Sequence, residues 1–562
     1  MSANGFHGTP SAKALRPQSN SSNRSRALGQ IGLRPMRKRV SALVIVMLLS
    51  SSCSTMVGPD YVKPSAPTEE QWLESEDRRV KTAPEEYSDW WTVFNDPVLN
   101  TLIATAYRQN LPLQIAGIRI LEARAVLGIT VGNQYPQLQQ GRGGTTRNRI
   151  SEHAANTAGA DKGFWDYEVG FDAAWELDVW GRFRRAVESG LANFEASIAS
   201  YDDALVSLTA EVARTYVLLC TFEERLAIAR ENVRIQERSL QIAQARFRGG
   251  AVTELDVQQA TSLLKDTEAS LPRFEAGIRQ AQNALAILLG VLPGKIDEML
   301  GGAGVLPQVP QEIVVDIPAE LMRRRPDIRL AEYQVATQSP LIGVSKADLY
   351  PAFSLLGSIG LRSSNSPKSD AGHSDFGDLF DADSIEWFAG PSFTWNLFNY
   401  GRIKNRVRAE DARFQQLVVN YEDTVLRAHQ EVEDALVGFL RKDEEEGFLH
   451  DSVKASQRSV DLSLIQYREG LVDYQRVLDT QRFLAQEQDL WTATRGDVVL
   501  NLIAVYKALG GGWQIREGED FVPAEIMEEM RRRTDWGNIL TPEKQGSPAS
   551  DAERLKWRWP DW

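Results

Sequence analysis

The chain has 562 residues, 43% hydrophobic and 25% charged, with a formal net charge of −13. That length suits several ordinary domains or one extended repeat architecture. The acidic balance, with no basic stripe in the mixed charge, argues against nucleic acid as a partner. His7, His153, His373, His429 and His450 make no metal-ligand or triad spacing, Cys53 and Cys220 are too few for a disulfide framework, and no glycine-rich phosphate loop is present. No cofactor, metal or enzymatic reaction is therefore expected.

Residues 1–35 are rich in Ser, Asn and Gly without periodicity and read as a disordered lead. Residues 36–52 have the parts of a signal peptide: basic Arg37, Lys38 and Arg39, an apolar run from Val40 to Leu49 too short to span a bilayer, then small residues up to Cys53. This makes Met36 a candidate start of translation. Residues 53–95 form an extended, proline-bearing arm. From about residue 96, Leu99, Leu102, Ile103, Ala106, Leu113, Ile115, Ile118 and Leu121 recur at helical spacing, and strand character begins at Tyr135 and Pro136.

Within a predicted β-hairpin at 134–180, the run FWDYEVGFDAAWELDVWG from Phe164 to Gly181 alternates with period two. Trp165, Tyr167, Val169, Phe171, Trp175 and Leu177 fall on one face, and Asp166, Glu168, Asp172, Glu176 and Asp178 on the other. Apolar to lipid and acidic to a lumen is the pattern of a transmembrane strand, and an ordinary sandwich strand is the alternative. The run recurs at Ile385 to Gly401, where WNLFNYG stands 220 residues beyond WELDVWG.

A helical hairpin at 181–290 follows. Leu205, Leu208, Val212, Leu219, Leu226, Ala229, Val233, Leu240, Ala243 and Phe247 lie on a heptad seam interrupted by Thr215 and Gln236. About 65 residues at 1.5 Å per residue make a rod of roughly 100 Å. Gly249 and Gly250 reverse the chain, and a return helix from Val252 to about Gly290 carries a kink at Pro272. After a linker at 295–317, the second unit at 318–512 repeats the first unit at 96–294, with a β-hairpin at 351–400 and a helical hairpin at 401–510. Arg248 and Gly250 pair with Arg468 and Gly470, and Gly290 with Gly510, at the same offset. Residues 513–562 form a tail with a short amphipathic helix.

The ordered set Cys53, GPDY at Gly58 to Tyr61, RRPDI at Arg324 to Ile328, GVSKADLYP at Gly343 to Pro351, the two WxLxxxG junctions, and YREG with VLDTQR at Tyr467 to Arg482 resembles the outer-membrane factors of bacterial tripartite efflux systems. The branch is the lipoprotein-type channel serving resistance-nodulation-division pumps, and the resemblance runs from about Gly58 to Trp513. It implies an α+β membrane protein that assembles as a homotrimer. Each chain would add four strands to one shared twelve-stranded barrel, continuous with a helical coiled-coil tunnel in the periplasm. Its partners would be outer-membrane lipid, a periplasmic adaptor and an inner-membrane pump, and a lipid would be attached to Cys53. Here Ser50 holds a position where leucine is usual, and Ser54 after the cysteine favours sorting to the outer membrane.

By the same resemblance Asp479 matches an aspartate whose three copies ring the periplasmic entrance, with Arg482 a nearby basic residue. Gln475 stands where leucine is usual, and Arg476 where the pattern is often uncharged or acidic, so the resemblance does not fix how tightly the resting gate closes. The helix-turn tips, through Arg248, Gly250, Val252, Arg468, Gly470 and Val472, are candidates for adaptor contact; plain turn chemistry is the alternative for the glycines. The function expected is passive conduction of drugs or other small toxic solutes. Export for a type I protein secretion system is the rival within the channel class, and a coiled-coil envelope scaffold the rival outside it.

Overall fold

Alternating strands and heptad helices resolve into two copies of one unit in a computed structural model, which describes residues 56–83, 87–153, 155, 162–302, 304–310, 312–315, 317–319, 324–365 and 375–540. The signal segment, Cys53 and the closing Trp557, Trp559 and Trp562 lie outside the described residues. A short strand β1 (Val80–Thr82) precedes the first copy. That copy comprises α1 (Pro97–Gln109), α2 (Leu111–Gly132), β2 (Leu138–Arg149), β3 (Gly163–Leu177), α3 (Arg182–Arg248), α4 (Glu254–Glu268) and α5 (Leu271–Leu288). A connection with α6 (Ile296–Leu300) and β4 (Ile313–Val315) leads to the second copy. It contains α7 (Pro326–Ala347), β5 (Ala352–Ser364), β6 (Ile385–Thr394), α8 (Arg402–Arg468) and α9 (Tyr474–Ala508), and α10 (Ala524–Arg533) lies in the tail.

The strands form one antiparallel sheet in the order β2-β3-β5-β6. The central pair, β3 with β5, joins the copies. β1 and β4 form a separate parallel pair. Helices α3 and α8 are each 67 residues long, and each starts at a glycine in the left-handed region, Gly181 (φ 77°) and Gly401 (φ 82°). α3 is apolar enough to cross a membrane by composition, but 72% of its most apolar window is buried inside the protein. It is a core helix: Leu205, Val212, Ala213, Val217 and Leu219 pack with α1, α5, α8 and α9 around Trp90, Trp91 and Phe94.

Two helix expectations are corrected. The helix expected from residue 96 to the first strand is broken at Asn110, which accepts from Leu113 N–H at 2.9 Å and donates from Nδ2 to the Leu288 carbonyl at 2.8 Å. Pro112, in the first turn of α2, lacks an N–H that would have been unpaired there anyway. Pro272 does not kink one return helix but opens a second, α5, after a break at Ala269 and Ser270. The second copy has Thr492 at the matching position, so α9 runs unbroken. The seam also ends before Phe247, which is 44% exposed.

The N-terminal arm is stitched along α3, α7 and α8. Val57 N–H donates to the Trp180 carbonyl at 3.0 Å, and Asp60 pairs with buried Arg185 at 2.6 Å. Farther on, Lys63 pairs with Glu332 at 2.6 Å and Leu73 N–H donates to Glu433 at 3.0 Å. The tail packs on the first copy: Val522, Met527 and Met530 meet Ile118 and Leu121, while Arg516 and Arg329 both pair with Asp202, which is fully buried on α3.

Next to that site, burial and the Asp327 carboxylate push Asp203 up to about 6, with Glu431 adding and Arg325 and Lys507 opposing. A carboxyl raised in the folded state contributes stability that is fully present below its ordinary value near 3.8 and is lost as pH rises through about 6. Asp203→Asn should therefore stabilise the protein by about 1–2 kcal/mol at pH above 7, allowing for the part of the side chain that water still reaches. The gain should vanish near pH 4, which thermal unfolding at the two pH values checks.

Candidate functional site

At the far end of both rods the chain reverses through the same turn. After α3, Gly250 N–H donates to the Phe247 carbonyl and Ala251 N–H to the Arg246 carbonyl; after α8, Gly470 donates to Tyr467 and Leu471 to Gln466. This is the double-bonded helix end that needs a left-handed residue, and Gly250 (φ 74°) and Gly470 (φ 78°) supply it. Beneath the turns lies a small apolar cluster of Ala243, Ala260, Leu263, Tyr467, Tyr474, Val477 and Leu478. Val252 and Val472 are half-buried against it, which gives them a packing role, whereas Arg248 and Arg468 are exposed. Arg468 lies 3.7 Å from Glu469, and Arg248 has no ion pair among the described residues.

Asp473 caps α9 by accepting from Arg476 N–H at 3.3 Å. One turn on, Gln475 donates to Asp479 at 2.9 Å and accepts from Gln259 of the other hairpin at 3.1 Å. The amide that stands in for leucine thus ties Asp479 to α4. Asp479 and Arg482 are exposed and share no ion pair. The structure brings Gln475 and Asp479 together and leaves the side chains of Arg476 and Arg482 in solvent.

A second tie between the hairpins was missed in the sequence. Tyr467 on α8 donates to Asp256 on α4 at 3.5 Å, and Arg246 on α3 lies over the Tyr467 ring at 4.5 Å and donates to the Tyr467 carbonyl. Burial, with Asp256 nearby, pushes the Tyr467 hydroxyl up to about 12, so it stays protonated as a donor at all physiological pH. Tyr467 and Asp256 are 211 residues apart and belong to different copies. The repeat relates equivalent positions in the two copies and does not predict pairs between non-equivalent ones.

At the sheet, Asp166, Glu168, Asp172 and Glu176 occupy one face of β3, together with Ser358 and Arg362 of β5. Arg362 forks onto Asp166 at 3.1 and 2.5 Å, and Glu176 lies 3.4 Å from Arg182. The opposite face carries exposed Trp165, Val169, Phe171, Ile359 and Trp387, with Phe171 opposite Ile359 and Ile359 opposite Trp387. Asp178 leaves the expected lumen-facing set. It lies beyond the end of β3 and accepts from the N–H groups of Phe183 at 3.1 Å and Arg184 at 3.0 Å, while pairing with the Arg184 guanidinium at 3.1 Å. The cause is the glycine start of α3: Gly181 has no side chain to cap the first turn, so an upstream carboxylate does it.

Comparison with known proteins places this architecture. The model of the family described as outer membrane efflux protein matches residues 102–291 and 317–511, one block per copy. Outer membrane protein OprJ of Pseudomonas aeruginosa is 31% identical over 487 residues, 86% of this chain and 97% of that one. The cation efflux system protein CusC of Escherichia coli is 30% identical over 479 residues, 84% of this chain and 98% of that one. The solved outer-membrane channel OprN is similar with a TM-score of 0.75 at 31% identity, over 82% of this chain and 99% of that one. With two repeats, one sheet, two rods and both family blocks in register, the chain belongs to the outer membrane efflux protein family: it is an outer-membrane efflux channel that extends into the periplasm, and not an enzyme.

Proposed function

We propose that three copies of this chain close one twelve-stranded barrel and serve as the outer conduit of a tripartite efflux system. In that system a periplasmic adaptor grips the helix-turn tips and an inner-membrane resistance-nodulation-division pump supplies the energy. The observation that carries this reading is the sheet itself. Four strands leave β2 and β6 as unpaired edges, and one face exposes aromatic and aliphatic side chains. In lipid every backbone polar group must be paired, so open edges cannot persist there. Joining β6 of one copy to β2 of the next pairs every edge after three copies. Phe398 (90% exposed) and Tyr400 (100% exposed), just after β6, also call for a covering neighbour or lipid.

The solutes are small toxic molecules, drugs among them. Relatives differ in what their names specify, from cation efflux for CusC to solvent efflux for SrpC of Pseudomonas putida. Conduction needs no chemistry: solute enters between the tips, passes the Asp479 ring and leaves through the barrel. Three carboxylates around a narrow axis repel one another and bind multivalent cations. Single-channel conductance in planar bilayers tests this. The wild-type pore should be blocked by a trivalent cation added on the periplasmic side, and Asp479→Ala should weaken that block by at least about tenfold. Well-folded protein that makes no pore would defeat the channel reading, and a pore blocked equally in both proteins would remove Asp479 from the entrance.

A further inference from the structure

One row of the sheet is built differently from its neighbours. Arg142 on β2 is opposite Gly170 on β3, Gly170 is opposite Gly360 on β5, and Gly360 is opposite Glu386 on β6. A basic residue therefore stands at one edge of the row and an acid at the other, with two glycines between. The arginine lies across the bare backbone: its Nη2 reaches 3.6 Å from Glu386, and on the way Nε comes to 3.6 Å from Asp172 and Nη1 to 3.9 Å from Glu168. Nη2 also donates to Ser358 at 3.4 Å. A Cβ at Gly170 would sit 3.3 Å from Arg142 Nε, 3.1 Å from the Gly360 Cα and 3.0 Å from the Ile359 carbonyl oxygen. A side chain at 170 would occupy the space the arginine crosses.

We propose that Arg142 is a specificity-determining residue of the barrel, an arm laid flat over a glycine floor that masks Glu168, Asp172 and Glu386 from passing ions. The proposal rests on the reading above, in which three sheets close a barrel and this face lines its lumen. Nine carboxylates crowd one zone of the proposed trimeric wall; Arg362, opposite Glu168, is forked onto Asp166, which leaves Arg142 as the guanidinium set between Glu168, Asp172 and Glu386. Because each guanidinium sits among three acids and lies along the wall, the zone is partly neutralised without narrowing the pore. Gly360 is required by the strands themselves, since an added Cβ would meet the Val169 carbonyl oxygen at 2.9 Å and the Gly170 Cα at 3.1 Å; at Gly170 the same backbone approach and the arginine both exclude a side chain.

The test uses the mature full-length channel carrying Asp479→Ala, so that the entrance ring does not set the response, with a trivalent cation added on the extracellular side. The parent pore should be insensitive. Arg142→Gln should create a block and raise the potassium-over-chloride permeability ratio by about threefold. Gly170→Leu retains every charge but displaces the arm, and should create the same block while lowering conductance. Pores of both variants as insensitive as the parent would overturn the proposal while leaving the channel intact. A parent protein that forms no pore would overturn the barrel reading and the proposal with it. If Gly170→Leu does not assemble, the Arg142→Gln result decides alone: block supports the masking arm, and insensitivity removes it.

Discussion

Tyr467→Phe should raise the resting open probability of the channel by about tenfold. The tie it removes is small in each subunit, one hydroxyl-to-carboxylate bond that is long at 3.5 Å, for which about 0.5 kcal/mol, the low end of the net range, is the fitting value. In the proposed trimer three such bonds would hold three pairs of hairpins, so a concerted opening would lose about 1.5 kcal/mol of opposition, and each 1.4 kcal/mol is a factor of ten. Phenylalanine retains the rest of the site. The ring can still stack edge-on against Tyr474, at 5.3 Å between centroids, and still lies beneath the Arg246 guanidinium. Fold and assembly should therefore survive, and the change should appear in single-channel recordings as longer openings of unaltered ion preference. Asp256→Asn, which keeps an acceptor but loses its charge, should fall between wild type and Tyr467→Phe. If Tyr467→Phe gates like wild type, the latch lies elsewhere, and the Gln259–Gln475–Asp479 chain becomes the next candidate.

The second large effect separates two glycines that look alike in sequence. Gly250 and Gly290 both end helices in the left-handed region, at φ 74° and 68°. Alanine at either position costs about 1 kcal/mol for that backbone conformation. At Gly250 nothing lies within 4 Å of an added Cβ, so the cost stops there. At Gly290 the added carbon would meet the Gln109 carbonyl oxygen at 2.3 Å, and a backbone atom at the end of α1 cannot swing aside. Forcing it apart adds about 1–3 kcal/mol, and the neighbouring Asn110 bond to Leu288 is strained with it. Gly290→Ala should therefore lower the thermal stability of the protein by roughly three times as much as Gly250→Ala. Equal losses in thermal unfolding of the two variants would show that the approach of α1 to this turn does not contribute to stability.

Much of this architecture is legible in the amino-acid sequence. Period-two alternation in β3 and β6, heptad spacing in α3 and an offset of 220 residues from the WxLxxxG junctions onward are all local or repeated patterns. A pattern that depends only on which face of one element is buried can be read along that element. Paired glycines such as Gly250 with Gly470 were readable for the same reason, because a reversal between two rods needs a left-handed residue wherever it occurs.

The four long strands, the two rods, their duplication and the family could all be read along the chain, whereas the breaks at Asn110 and Ser270 and the β1–β4 pair could not. Which groups meet across the fold is settled by three-dimensional packing. Asp178 alternates in phase with the lumen-facing acids, yet it caps α3, because the competing demand comes from unpaired backbone N–H groups around the corner. Gln475 looked like a loss at the entrance and instead bonds to Gln259, and Tyr467 meets Asp256 across the two copies. The Arg142 arm depends on a strand register that aligns four residues from four strands. Periodicity reports the burial of a face and is additive along the chain, whereas hydrogen bonds and ion pairs between distant elements depend on distance and angle, and no one-dimensional pattern encodes those.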